Sequence, residues 1–349
     1  MARPPEARLA VLSRGVNVTN WFRFPASVAP AALRSYLSDA AIADLRAVGF
    51  RFVRLPVQPE FLAPSGIVDA GRVALVMEAA ARLQRAGLGV VIALHPATWR
   101  QERAAMEREA LVRIWRTLAL AMRPLDAGLT FAEILNEPIF AADASGWAAL
   151  QRDVLAEIRA IRLDLTVVLS GTPWGGLDGL LALDPVGDNN VVYSLHFYEP
   201  SILTTLAAFE PRLDHAALAE LPFPVIDVNA CTEVARHGAT RRTQEVAAYY
   251  CAGAWSGGTL IGRIAAAAAW ARRHDVAVLV GEFGASEKIN APARLAWLAA
   301  ARGAFEAAGF GWALWGYDDA MGFFLPRPPG PRPVLDRAVL RALGLREVF

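Results

Sequence analysis

Short, almost unbroken apolar runs return along the chain, and each is followed by a segment whose apolar residues recur every three or four positions. The runs are RGVNV (14–18), FVRLPV (52–57), GVVIALH (89–95), FAEILNE (131–137), TVVLSG (166–171), VVYSLHFY (191–198), AVLVGEFG (277–284) and GWALWGY (311–317). Most are continuously apolar rather than alternating, as strands covered on both faces are. Between them the period is helical. Ser38 stands at an N-cap position ahead of Ile42, Leu45 and Val48, with Gly49 as the stop. Val73, Val76, Met77, Ala80 and Leu83 form the next stripe, ended by Gly87. Leu111, Ile114, Trp115 and Leu118 make a third, and Leu150, Val154, Ile158 and Ile161 a fourth. Later helical patterns cover roughly 259–274, 292–308 and 333–343.

Eight strand–helix alternations with no break in composition predict an α/β fold, a single (β/α)8 TIM barrel spanning 1–349. A doubly wound open sheet of the nucleotide-binding kind would carry a Gly-rich fingerprint after its first strand, and RGVNVTNWF has none. Residues 199–258, rich in Pro, Gly and aromatics, read as a long loop insertion after the sixth strand, over the catalytic face. PRPPGPRP (326–333) reads as a stiff surface loop.

Composition narrows the partners. The chain is 55% hydrophobic and 20% charged, enough for a large core, and its net charge of +1 gives no reason to expect nucleic acid or an anionic membrane. No run approaches the ~20 apolar residues of a membrane span. The N-terminus MARPPEARLAVLSRGV lacks a signal-peptide core, so the chain is expected to be soluble, and exported only if a signal has been removed. A monomer is expected. Cys231 and Cys251 are either a disulfide or two buried thiols.

A barrel places its chemistry at the C-terminal ends of its strands, and polar residues fall there repeatedly. Arg54 is in the second strand, His95 ends the third, and Asn136 and Glu137 end the fourth. His196 and Tyr198 end the sixth, Glu282 the seventh and Trp315 the eighth. Any one of them has a structural explanation; their convergence on one rim does not. Two glutamates on opposite strands, with no third acid comparably placed, suit glycoside hydrolysis, in which one carboxyl protonates the leaving oxygen and another acts at the anomeric carbon. Arg54 and Tyr198 are placed to hold one glutamate ionised, and Asn136 to grip a sugar hydroxyl beside the other. Trp315, with Trp21, Trp99, Trp174 and Trp255, offers flat faces for pyranose rings.

The rival chemistries lack their parts. A metal site would need clustered ligands, and His95 and His196 supply only two, so no metal and no cofactor is expected. There is no Gly-x-Ser-x-Gly elbow, and Lys288, the one lysine, lies beyond a strand end.

From RGVNVTNWF to WALWGYDD the chain resembles glycoside hydrolase family 5, the cellulase family of retaining (β/α)8 glycosidases. EILNEP is similar to that family's acid/base motif, which implies that Glu137 is the acid/base and Asn136 its sugar-binding neighbour. LVGEFG is similar to the nucleophile motif and implies Glu282. FVRLPV supplies Arg54, IALH supplies His95, HFY supplies His196 and Tyr198, and WALW supplies the platform Trp315. Many members carry Asp two residues before the histidine, where this chain has Ala93.

The resemblance implies a retaining β-glycosidase acting on a β-linked oligo- or polysaccharide, an endo-β-1,4-glucanase before the alternatives. Those are an exo-acting β-glucanase or β-glucosidase, a β-mannanase, and a catalytically dead sugar-binding barrel. In a retaining enzyme the two carboxyl groups lie ~5–5.5 Å apart. Arg54 and Tyr198 are expected to hydrogen-bond Glu282 and keep it anionic, and the acid/base to have a raised pKa. His95 and His196 are expected to shape the subsite for the cleaved sugar. Arg54→Ala is expected to cost activity far more than stability.

Overall fold

A computed structural model describes residues 3–98, 105–140, 144–236, 240–323 and 334–348. The PRPPGPRP run and Trp99 lie outside the described residues. Eight parallel strands close in sequence order into a barrel: β1 (Arg14–Asn17), β2 (Phe52–Val57), β3 (Gly89–Leu94), β4 (Thr130–Glu133), β5 (Thr166–Ser170), β6 (Val191–Phe197), β7 (Ala277–Phe283) and β8 (Gly311–Leu314). Each carries a helix behind it, and the apolar stripes face the strands. Ser38 accepts a hydrogen bond from the Ala41 amide at the start of the helix Asp39–Val48, and Gly49 ends that helix at φ 117°, a backbone that favours glycine.

The barrel interior is built in steps of two, because alternate residues of a strand share a face. Its floor is an apolar layer of Phe52, Val91, Phe131, Val168, Val192, Leu279 and Ala313, one from each of β2 to β8. β1 contributes Gly15 instead, where a Cβ would come within 2.3 Å of the Phe52 ring. One step above this floor the same alternation carries Arg54, Ala93, Glu133 and Ser194, and a further step carries His95 and His196. An apolar plug therefore underlies a polar layer, and the site rests on the plug.

β7 departs from that alternation. Between Val280 and Phe283 it takes three steps where β6 and β8 take two, so it holds one extra residue. Strict alternation from Leu279 would turn Glu282 outward. The extra residue restores it to the inside, opposite His196. Gly281 sits at the irregularity, and a Cβ there would stand 2.5 Å from the Ser194 hydroxyl oxygen.

Three expectations need correction. The fourth strand stops at Glu133, so Asn136 and Glu137 lie in the loop beyond it. Ile134 and Leu135 both turn into the outer core there, which strand alternation forbids. Residues 199–258 are not a loop but a chain of short helices, Ser201–Thr204, His215–Ala219, Val228–Ala235 and Arg241–Ala252. Asp214, Asp227 and Thr240 cap the last three, and the Pro and Gly residues punctuate the connections. The last helical pattern, expected from 333, begins at Arg337 because Asp336 is its N-cap. Cys231 and Cys251 form a disulfide that joins two of the inserted helices, with Cα atoms 5.6 Å apart.

Candidate active site

Arg54 is the centre of the polar layer. It is fully buried, and its five N–H groups are all used. Nε and Nη2 form a two-pronged pair with Glu133 (2.6 and 2.7 Å), and Nη2 also donates to Asn136 Oδ1 at 2.8 Å. Nη1 donates to Asn17 Oδ1 at 2.8 Å and to Glu282 Oε1 at 2.7 Å. Burial alone would lower the arginine pKa, but the adjoining charges of Glu133 and Glu282 outweigh it and raise the value. Asn17 Nδ2 in turn donates to the Gly281 and Leu314 carbonyls, tying β1 to β7 and β8.

Glu133 and Asn17 are the residues that sequence reading missed. The expectation of no third comparably placed acid is wrong. Glu133 follows Phe131 by two on β4 and so shares its inward face, a signal that was there to be read. The motif residues at the strand end drew attention past it.

The two expected glutamates meet across His196. Its Nδ1 lies 2.9 Å from Glu137 Oε1 and 3.4 Å from Glu282 Oε2. One donor atom from each of Glu137, His196 and Glu282 lies within 4.8 Å of the others. The donor set that gathers is thus one histidine with two carboxylates, rather than the two histidines considered from sequence. Burial opposes a charge on His196, yet the Glu282 and Glu137 carboxylates raise its pKa above the ordinary value of 6.5. The ring thus stands between the two carboxyl groups, within reach of both.

Glu282 also accepts from the Tyr198 hydroxyl at 3.0 Å. Burial and the Glu282 charge push that phenol well above its usual pKa, so it remains a donor. The hydrogen bonds expected from Arg54 and Tyr198 are thus present. The pKa of Glu282 is shifted upward. Burial raises it, and the charges of His196 and Arg54 pull back. Glu282 is thus a nearly dry carboxylate held by fixed donors.

Glu137 adopts φ 44°, an uncommon left-handed backbone for a non-glycine residue. The loop is held from the β5 side: the Trp174 amide and the Thr172 hydroxyl both donate to the Pro138 carbonyl, and Thr172 accepts from the Phe140 amide. The Glu137 side chain is 31% exposed, against 4% for Glu282.

His95 is buried just beyond β3, with its Nε2 3.2 Å from Asn136 Nδ2. Burial and the nearby Arg23 and Arg54 charges hold its pKa well below 6.5, so the ring is neutral and accepts at Nε2. Asn136 is therefore engaged at both ends of its amide. Trp315 follows β8 and faces the His95 ring at 5.7 Å; its peptide bond to Gly316 is cis. The other tryptophans divide. Trp174 is exposed on the rim, whereas Trp21 is buried and donates to the Leu33 carbonyl, and Trp255 packs on the core. Trp21 is a packing residue, its ring fully covered, whereas Trp255 is half-buried against the core.

A closed parallel barrel that holds two facing carboxylates at its C-terminal rim, with an aromatic platform beside them, is the architecture of a (β/α)8 glycoside hydrolase. Comparison with known proteins agrees. The profile of the cellulase family (glycosyl hydrolase family 5) matches residues 12–320, and the chain belongs to that family. Endoglucanase 3 of Fibrobacter succinogenes is 24% identical over 338 residues, covering 89% of this chain and 50% of its own length. Endoglucanase C of Acetivibrio thermocellus is 23% identical over 202 residues, covering 54% of this chain and 58% of its own length. The chain thus spans about half the length of these curated relatives. Among solved structures, Cel5A of Thermotoga maritima in complex with cellobiose superposes with TM-score 0.76. The match has 21% identity and covers 97% of this chain and 99% of that one. The Clostridial cellulose synthase subunit Z of Clostridioides difficile gives 0.75 at 21% identity, covering 95% and 99%.

Proposed function

We propose that the protein is a retaining endo-β-1,4-glucanase in which Glu282 is the nucleophile and Glu137 the acid/base. The observation that carries the reading is the short separation of the two carboxylates, with an oxygen of each within 4.8 Å. Inverting enzymes keep their carboxyl groups ~6.5–9.5 Å apart to admit a water, whereas retaining enzymes hold them at ~5–5.5 Å. Glu282, buried and fixed by Arg54 and Tyr198, attacks the anomeric carbon and forms a glycosyl–enzyme bond. Glu137, the more exposed of the pair, gives its proton to the departing glycosidic oxygen and then takes one from the water that releases the sugar. His196 touches both carboxylates and balances the charge that passes between them.

Endo action on a β-1,4-glucan is supported by the endoglucanase names of the relatives and by two tryptophans, Trp174 and Trp315, available near the rim. A second reading, β-mannan, is favoured by one observation: a structurally similar protein, Cel5A of Thermotoga maritima, has been solved with mannotriose. The Cys231–Cys251 disulfide supports work in an oxidising compartment.

The test is carboxymethylcellulose and β-mannan hydrolysis followed by viscosity and reducing ends together, with Glu282→Gln as the blank. Viscosity of the glucan falling ahead of reducing-end release is expected. Glucose as the sole early product at unchanged viscosity would sink the endo assignment, and faster mannan cleavage would move the substrate.

A further inference from the structure

Arg23 follows the first strand and takes no part in the network around Arg54. Its guanidinium carbon lies 4.3 Å over the Phe24 ring and 5.2 Å over the Trp315 ring, so two aromatic faces hold it. Half-buried there, it has no hydrogen-bonded or ion-paired partner among the described residues, and its Nε is shut away from water. A second donor beside the same indole is in the same condition. His95 accepts at Nε2, so its proton sits on Nδ1, and that buried atom has no partner either. A buried donor left unmade forfeits its hydration with nothing in return. Two such donors flank the platform Trp315, and one of them carries a full charge.

We infer that Arg23 is a specificity-determining residue that donates to hydroxyl oxygens of a neutral sugar lying along Trp315, on the glycone side of the bond that is cut. The inference rests on the glycosidase reading of this site. The side follows from position. Arg23 follows β1 and stacks on Trp315 after β8, the neighbour of the β7 strand that carries Glu282, whereas Glu137 follows β4 on the far side of the barrel; Glu282 is the carboxylate that meets the anomeric carbon of the glycone. The neutral character follows from charge. Glu282, Glu137 and Asp319 all place negative charge around Arg23, so an anionic sugar brought to the guanidinium would face three carboxylates. A hydroxyl meets the free donors without that repulsion. The aromatic clamp fixes the guanidinium plane before the sugar arrives, which spares the rotamer entropy that a free arginine would lose.

The experiment measures kcat and KM for 4-nitrophenyl β-cellobioside and for a glucuronosyl analogue, on the wild type, Arg23→Ala and Arg23→Lys, with Tm alongside. Arg23→Ala is expected to lower kcat/KM for the cellobioside about 10- to 100-fold with Tm little changed. Guanidinium ion added at low millimolar concentration should restore part of it. Arg23→Lys should fall between the two, since one ammonium cannot replace a planar fork. Wild-type turnover with Arg23→Ala within twofold of it would overturn the inference and leave the glycosidase reading intact. So would a loss of Tm that parallels the loss of rate. Preference of the wild type for the glucuronosyl analogue, abolished in Arg23→Ala, would overturn the neutral-sugar assignment. No wild-type turnover of any β-glycoside would instead overturn the reading beneath it.

Discussion

Arg54 decides how the residues of the site depend on one another. From sequence it reads as a supporting cation whose removal costs activity far more than stability. In the barrel it is buried against two carboxylates, and every one of its donors is used. Arg54→Ala would leave Glu133 and Glu282 buried without their counter-ion, a change that typically costs 3–5 kcal/mol. Chemical denaturation should therefore show a stability loss of about that size together with loss of turnover; a stable, inactive variant would contradict this placement. His196 gives a pH signature. Its pKa is raised in the fold by Glu282 and Glu137, so the stability it contributes is fully present below about 6.5 and is lost as pH rises through the raised value. Tm of the wild type relative to His196→Asn should then decline as pH increases from 6 toward 9, and parallel profiles would count against the imidazolium. At this scale the sequence named eight residues of the constellation, because motif spacing at strand ends is local. It did not reveal Glu133 and Asn17, whose importance lies in what they touch across the barrel.

Among the elements, the strands were legible because buried parallel strands are continuously apolar, and all eight lie within the runs read from sequence or one residue outside them. Their ends were less so. FAEILNE reads as one strand, yet alternation fails after Glu133, and the carboxylate of Glu137 is presented from a loop at φ 44° rather than from a rigid strand end. The extra residue in β7 was equally hidden, since nothing in AVLVGEFG marks Gly281 as more than a small strand residue. Its role is to let Glu282 face inward. Gly281→Ala would press a methyl onto the Ser194 hydroxyl and shift the neighbouring Glu282 and His196. We expect a destabilisation of about 1–3 kcal/mol and a fall in kcat of up to about 100-fold, in line with the cost of a misplacement near 1 Å. Urea denaturation with steady-state kinetics checks both; wild-type kcat in the alanine variant would remove the bulge from the account. The inserted helices of 199–258 escaped reading because their Pro and Gly content resembles that of a loop, while the last three are held by side-chain caps and two of those also by the Cys231–Cys251 bond.

For the molecule as a whole, the layered interior explains why this chemistry sits where it does. An apolar floor closes the barrel below, the Arg54 network ties β1, β2, β4 and β7 together above it, and the two glutamates stand on that base with His196 between them. The floor excludes water from beneath, so the charges of Arg54 and His196 act on Glu282 in a poorly screened environment. The spacing of the two carboxylates is the central claim, because it determines the stereochemical course of the whole reaction. Proton NMR of the anomeric signals in the first minutes of cello-oligosaccharide hydrolysis tests it most directly. Double displacement at Glu282 predicts that the β-anomer appears first and the α-anomer grows in only by mutarotation, whereas initial formation of the α-anomer would contradict the account.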